Sequence, residues 1–356
     1  MERATRHSAR LFGAFAAVTV AATLTGAGLA GAATGADRKA APLPVLACAI
    51  ATDGPETGLC VVPDPAVAGD TLPEGYDSGA RPTVEGIQYG PDPAQLLDLY
   101  LPGTAAPAPV IVYFHSGGWI GGTRAEVTQA ILREVPRGYA IVSVDYRLAP
   151  AVRFPVPLED AKTAVRWVKA HAREYHLRAD QVMAAGASAG GHLAAMVAVT
   201  PGRFEPTGLP PELAKQSSRV VGAVSFVGLL DLGAASGEEG SFGPGIVAAL
   251  LGCPDPTPEV FVTCSEDAMA AASPVNYVGR NAPPIYLGYG DLDTLVRPGT
   301  NGHVMATRYA ELGKAHQAPF DQVETQGHTI DIAGVNVTKL DAFVDGVRAS
   351  TGTARL

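Results

Sequence analysis

Gly186-Ala187-Ser188-Ala189-Gly190 sets a serine among small residues. The apolar run Val182-Met183-Ala184-Ala185 precedes it, and a helix-forming run, His192 to Ala198, follows. This order predicts a strand, a very tight turn and a helix, with Ser188 at the apex and the helix N-terminus directly behind it. Such a turn leaves almost no room beside the serine. That accounts for a glycine two residues to either side and an alanine next to it on each side. Ser188 is therefore a candidate nucleophile. A serine hydroxyl attacks poorly at neutral pH, so the chemistry also needs a base to take its proton, a carboxylate to orient the base and N–H donors for a developing oxyanion.

Candidates for these parts lie far away in the chain. Gly327-His328 supplies an imidazole, whose ordinary pKa of about 6.5 suits it to accept a proton and return it. Gly290-Asp291-Leu292-Asp293 supplies two carboxylates, two residues apart. His115-Ser116-Gly117-Gly118-Trp119 places consecutive glycines where backbone N–H groups can face a cavity that a Cβ would fill. Of the other histidines, His171, His176, His303 and His316 fall in expected helices or at their exposed ends. His192 follows Ser188 too closely to face it.

The elements that must position these residues are legible as alternating patterns. Val84 to Tyr89 and Leu96 to Tyr100 read as strands separated by the turn residues Gly90-Pro91-Asp92-Pro93. Val110 to Phe114 and Ala140 to Val144 are short continuous apolar runs, expected for strands buried on both faces. Further strands are expected at Val182, at Val220 to Val227, at Pro284 to Tyr289 and at Asp321 to Glu324. Helices are expected over Arg124 to Val135, Leu158 to Glu174, from Ala189, over His303 to Leu312 and within Ile332 to Val347. This rhythm predicts an α/β fold: a mostly parallel central sheet with helices on both faces. Ligands of such sheets bind at the carboxyl ends of the strands, and Ser188, the glycine loop, Asp291/Asp293 and His328 all follow expected strands.

Residues 1–32 are expected to be a secretory signal peptide, cleaved near Ala32. Arg3, Arg6 and Arg10 precede an uncharged run from Leu11 to Ala30, and Ala30-Gly31-Ala32 fits a cleavage site. A membrane anchor is the competing reading of that run. Residues 33–81, rich in Pro, Gly and Asp, read as an N-terminal extension, and 82–350 as one catalytic domain. Residues 231–280 interrupt the rhythm and read as a lid-like insertion. With its net charge of −9 the chain is a poor candidate for nucleic acid or anionic membrane surfaces. Cys48, Cys60, Cys253 and Cys264 are expected to form disulfides in a secreted protein, with free thiols as the alternative. Four cysteines allow three pairings, of which the local one closes two short loops. No cysteine pair has zinc-site spacing.

Several motifs together carry a family resemblance. His115-Ser116-Gly117-Gly118-Trp119 resembles an HGGGW motif, Asp145 to Pro150 matches DYRLAP, and Gly186 to Gly191 resembles GDSAGG. The segment is similar, from about residue 84 to 348, to the hormone-sensitive-lipase-like and feruloyl-esterase-like carboxylesterases of the α/β-hydrolase fold. The resemblance implies Ser188 as nucleophile, His328 as base, Asp293 rather than Asp291 as the acid, and the N–H groups of Gly117, Gly118 and Ala189 as oxyanion donors. It implies Trp119 as a pocket wall, with core packing as the alternative. Asp145 and Arg147 are expected in one ion-pair network with Glu159 or Asp160. Two departures stand out: Ser116 replaces the first glycine of the loop and Ala187 the aspartate before the serine. The expected function is secreted hydrolysis of short-chain carboxylic esters, small or polymer-linked, through an acyl-enzyme and without metal or organic cofactor. An arylformamidase-type amide hydrolase and a non-catalytic binding module are the alternatives.

Overall fold

A computed structural model describes residues 81–236, 243–254, 263–324, 326–328 and 336–352. The expected signal peptide, nearly all of the extension, and Cys48 and Cys60 lie outside the described residues. The strands are β1 (Val84–Gln88), β2 (Leu96–Tyr100), β3 (Ala108–Phe114), β4 (Ala140–Val144), β5 (Leu177–Ala187), β6 (Ala223–Phe226), β7 (Ile285–Gly290) and β8 (Phe320–Val323). They pair in the order β1-β2-β4-β3-β5-β6-β7-β8. The pairings of β2 with β1 and β4 are antiparallel, and all others are parallel. Every residue of β3, β4, β6 and β7 is buried, as expected where apolar runs meet helices on both faces.

The helices are α1 (Gln129–Leu132), α2 (Val156–Ala170), α3 (Ala189–Val199), α4 (Pro211–Ala214), α5 (Leu232–Ser236), α6 (Gly243–Leu251), α7 (Glu266–Ala271), α8 (Gly302–Glu311) and α9 (Val337–Gly352). Residues of α2, α3 and α8 pack on one sheet face, while α1 and α9 pack on the other. α3 is the central one. All eleven of its residues are buried, so it is apolar all round and not amphipathic. Among the described residues no helix is long and apolar enough to cross a membrane.

Three differences from the sequence expectations have physical causes. The helix expected over Arg124 to Val135 shrinks to one turn, α1. Arg124 is instead held outside a helix: its backbone N–H donates to Asp145 Oδ1 at 2.6 Å, and its guanidinium donates to Asp98 at 2.8 Å and to Asp145 at 2.5 Å. β5 starts five residues before Val182, because Leu177 already pairs with Ala108 of β3. The single network expected around Asp145 and Arg147 is two. Asp145 belongs with Arg124 and Asp98, whereas Arg147 binds Asp160, whose carboxylate is almost fully buried and also accepts from Gln95 at 2.7 Å.

A polar clamp secures the C-terminal end of α3. The ammonium of Lys162, on α2, is buried and donates to the carbonyls of Thr200 at 2.6 Å and Arg203 at 2.5 Å. A cation there also complements the helix dipole. Glu205 balances it, 3.2 Å from Lys162 and 2.7 Å from Arg166, and accepts from Ser218 at 2.7 Å. Burial pushes the Glu205 carboxyl up, but Arg166, Ser218, Lys162 and the Gly202 N–H together hold it down to about 2. A depressed carboxylate contributes stability above its unfolded pKa of about 4.5 and loses it as pH falls towards 2. Replacing Glu205 by Gln should therefore cost roughly 1–3 kcal/mol at pH 7. The gap to wild type should narrow between pH 4.5 and 2 in urea-unfolding measurements.

Candidate active site

Ser188 joins β5 to α3 with φ 52° and ψ −117°, a conformation outside the regions open to ordinary L-residues. Strain of this kind costs about 1–3 kcal/mol and persists only where the surroundings enforce it. Here they do. The Ser188 N–H donates to the Phe226 carbonyl at the end of β6, at 2.8 Å. A Cβ on Gly190 would overlap the Phe114 carbonyl oxygen and lie 2.6 Å from that of His115. The first turn of α3 thus rests directly on the backbone where β3 ends and the glycine loop begins. Gly186 is equally confined, 2.8 Å from the Phe114 oxygen by the same measure.

The loops after β7 and β8 bring in the other two groups. His328 Nε2 lies 3.0 Å from Ser188 Oγ, and its Nδ1 lies 2.8 Å from Asp293 Oδ2. The other carboxylate oxygen of Asp293 accepts the N–H groups of Leu295 at 2.9 Å and Val296 at 2.8 Å. The carboxylate is thereby locked with one oxygen on the imidazole. Being acceptor-only, it requires a proton on Nδ1, which leaves Nε2 free to accept the serine proton. Asp291 has a different place. It is exposed and accepts the Gln326 N–H at 3.2 Å, while the Leu292 N–H donates to Gln326 O at 2.8 Å. Asp291 stitches the histidine loop to the β7 loop, and Asp293 orients the ring.

The glycine loop is built on His115. Its buried ring stacks on Tyr146 at 4.2 Å, and Nδ1 lies 2.7 Å from Ser116 O. Tyr146 donates to the His115 carbonyl at 3.0 Å. Burial lowers the His115 pKa, so the neutral ring donates from Nδ1 to Ser116 O. The carbonyl of Gly117 accepts the N–H groups of Ile120 and Gly121, both at 3.0 Å. With φ at 103°, Gly117 turns the chain in a way that a side chain would resist. Among the described residues, the N–H groups of Gly117, Gly118 and Ala189 donate to no carbonyl.

Trp119 is not a pocket wall. Its ring is fully buried behind the loop, packed edge-on to His192 with centroids 5.0 Å apart, while its carbonyl accepts the Ala149 N–H at 2.8 Å. The insertion contributes instead. A Cβ on Gly118 would meet Ile246 of α6 at 3.2 Å, so this side chain covers the glycine loop. The end of α6 is docked by the Phe154 N–H, which donates to Leu250 O at 2.8 Å. The Cys253–Cys264 disulfide spans the next stretch of the insertion, closing a separation of 11 residues. Nothing in the motif pattern pointed to Ile246, because its contact is made 128 residues away from Gly118.

A parallel sheet flanked by helices, with serine, histidine and aspartate in that spatial order on the loops at its carboxyl edge, defines an α/β-hydrolase. The chain belongs to the BD-FAE family, whose model matches residues 97–306, a stretch that includes Ser188 and Asp293. Esterase LipC of Mycobacterium tuberculosis is 31% identical over 253 residues, which cover 69% of this chain and 59% of LipC. Esterase LipQ of the same organism is 30% identical over 259 residues, 67% of this chain and 58% of LipQ. The chain thus spans less than two thirds of the length of these curated relatives. Among solved structures, a truncated carbohydrate esterase from gut microbiota has a TM-score of 0.64 at 22% identity, covering 79% of this chain and 99% of its own. Esterase Est2 of Thermogutta terrifontis has a TM-score of 0.59 at 24% identity, covering 76% and 93%. At these identities the structural likeness speaks for the fold.

Because the atoms facing Gly190 are backbone, they cannot give way. Gly190→Ala should lower the melting temperature by roughly 10 °C or more, or prevent soluble expression. Gly346→Ala, in α9 with nothing within 4 Å of its added Cβ, should stabilise by about 0.5–1 kcal/mol. Thermal unfolding of both variants checks the contrast.

Proposed function

We propose that the protein is a serine hydrolase of carboxylic esters, and the observation that carries this reading is the 3.0 Å separation of His328 Nε2 from Ser188 Oγ. As Oγ attacks an ester carbonyl, His328 Nε2 takes the hydroxyl proton and the carbonyl oxygen becomes an oxyanion. Asp293, bonded to Nδ1, stabilises the imidazolium. The N–H groups of Gly117, Gly118 and Ala189 receive the oxyanion, each contributing about 3 kcal/mol to the transition state. The C–O bond to the alcohol then breaks, His328 returns the proton to the departing oxygen, and the acyl group remains on Ser188. Water repeats the sequence. His328 takes its proton, the acyl–Oγ bond breaks, and the carboxylic acid leaves with Ser188 restored.

Two features favour a small acyl group. Ser188 is only 9% exposed, and Ile246 sits over Gly118, so space beside the serine is short. The esterase names of LipC and LipQ agree with ester hydrolysis. Secretion is proposed from the sequence of residues 1–32, and a disulfide at Cys253–Cys264 suits an oxidising compartment.

The full-length protein should hydrolyse p-nitrophenyl acetate and butyrate at least about tenfold faster, by kcat/KM, than the octanoate ester. Ser188→Ala and His328→Ala should each lower kcat by roughly a thousandfold or more while circular dichroism stays unchanged. A fluorophosphonate probe should label the wild type and not Ser188→Ala. Faster turnover of a formanilide than of any ester would favour the amide reading, and no labelling of the folded wild type would leave a binding module.

A further inference from the structure

His192 and Trp119 each hold a buried polar atom without a hydrogen-bond partner among the described residues, and the two atoms are chemically complementary. His192 Nε2 lies 2.8 Å from the Ala272 carbonyl, which can only accept, so the ring proton is on Nε2 and Nδ1 is a bare acceptor. Burial lowers the pKa of His192 to about 4, which keeps the ring neutral in that tautomer at ordinary pH. Trp119 Nε1–H can only donate. Both rings are fully buried, and they meet edge-on at 5.0 Å with an interplanar angle of 86°. A lone donor and a lone acceptor in neighbouring rings are complementary, and pairing them would relieve both.

The position of the pair gives this contact a purpose. His192 lies in the first turn of α3, its N–H donating to Ser188 O at 3.0 Å. Trp119 directly follows Gly118, and its backbone sits in a left-handed conformation at φ 61°. Ala272 caps α7 inside the insertion. A line of contacts therefore runs from the insertion, through His192, to the indole that backs the glycine loop. We propose that His192 is a positioning residue: its Nδ1 accepts the Trp119 indole N–H and thereby fixes the Gly117–Gly118 loop against the serine turn. The kinetic side of this inference rests on the ester-hydrolase reading. The hydrogen bond itself does not.

The experiment uses the full chain with Trp167→Phe, which leaves Trp119 as the sole tryptophan of the two. With ¹⁵N-labelled tryptophan, the single indole proton should resonate downfield, as expected of a hydrogen bond to imidazole nitrogen. His192→Phe, which keeps the ring shape and removes the acceptor, should move it upfield. His192→Asn, which keeps an acceptor near the Nδ1 position, should restore most of the shift. In ester hydrolysis His192→Phe should lower kcat by about tenfold with KM changed by less than about threefold, and His192→Asn should recover most of kcat. If His192→Phe does not fold, Trp119→Phe removes the donor from the other side and should give the same kinetic split. An indole proton at the position of free indole in the parent protein, or one unmoved by His192→Phe, would overturn the proposal. So would a fall in kcat that His192→Asn shares in full. Failure of the ester-hydrolase reading would show separately, as an inactive parent with its indole shift intact.

Discussion

The architecture depends on one close approach of backbone to backbone. The first turn of α3 lies against the end of β3 so tightly that Gly190 has no room for a side chain beside the carbonyls of Phe114 and His115. This contact lets Ser188 hold its left-handed backbone, because β5, β6 and α3 leave the turn no alternative path. It also sets the distance between the serine and the glycine loop, since that loop leaves from the same end of β3. Once these two pieces are fixed, a histidine from the β8 side needs only one correctly oriented ring to complete the hydrogen-bonded chain.

The surrounding polar groups hold that contact in place. Lys162 and Glu205 tie the far end of α3 to α2. Asp98, Arg124 and Asp145 hold the segment after the glycine loop, and Arg147 with Asp160 holds the segment after β4. Where such charges are fully buried, as at Lys162 and Asp160, desolvation offsets much of the attraction, and what the pairs contribute is a defined geometry for loops that have no ladder hydrogen bonds of their own. The two aspartates after β7 illustrate the same division at short range. Asp293 is locked by two backbone N–H groups and faces the imidazole, whereas Asp291, two residues earlier, fastens the loop that carries His328.

The insertion between β6 and β7 brings different chemistry to the same place. Ile246 covers Gly118, and the carbonyl of Ala272 fixes the ring of His192 beneath the loop. Two parts of the insertion thus touch the glycine loop or the histidine packed behind it.

The strands were legible in the sequence because burial on both faces writes itself as a continuous apolar run, as in Val110 to Phe114 and Ala140 to Val144. The serine turn was legible because steric confinement demands small residues at fixed spacing, and Ser188, His328 and the Asp291/Asp293 pair stood out because each follows a strand, with the family resemblance favouring Asp293. Helix α1 was overestimated because Arg124 answers to Asp98 and Asp145, partners that no local pattern reveals. For Trp119 the choice between pocket wall and core packing stayed open for a related reason: its buried position against His192 brings together residues far apart in the chain. The sequence by itself determined what is local, namely the periodicity of burial, the small residues of the turn and the residue types able to do the chemistry. Only the tertiary structure decided which aspartate meets the histidine, where the tryptophan goes and what covers the glycine loop. Those outcomes are set by contacts between segments far apart in the chain, and their partners become neighbours only when the sheet has formed.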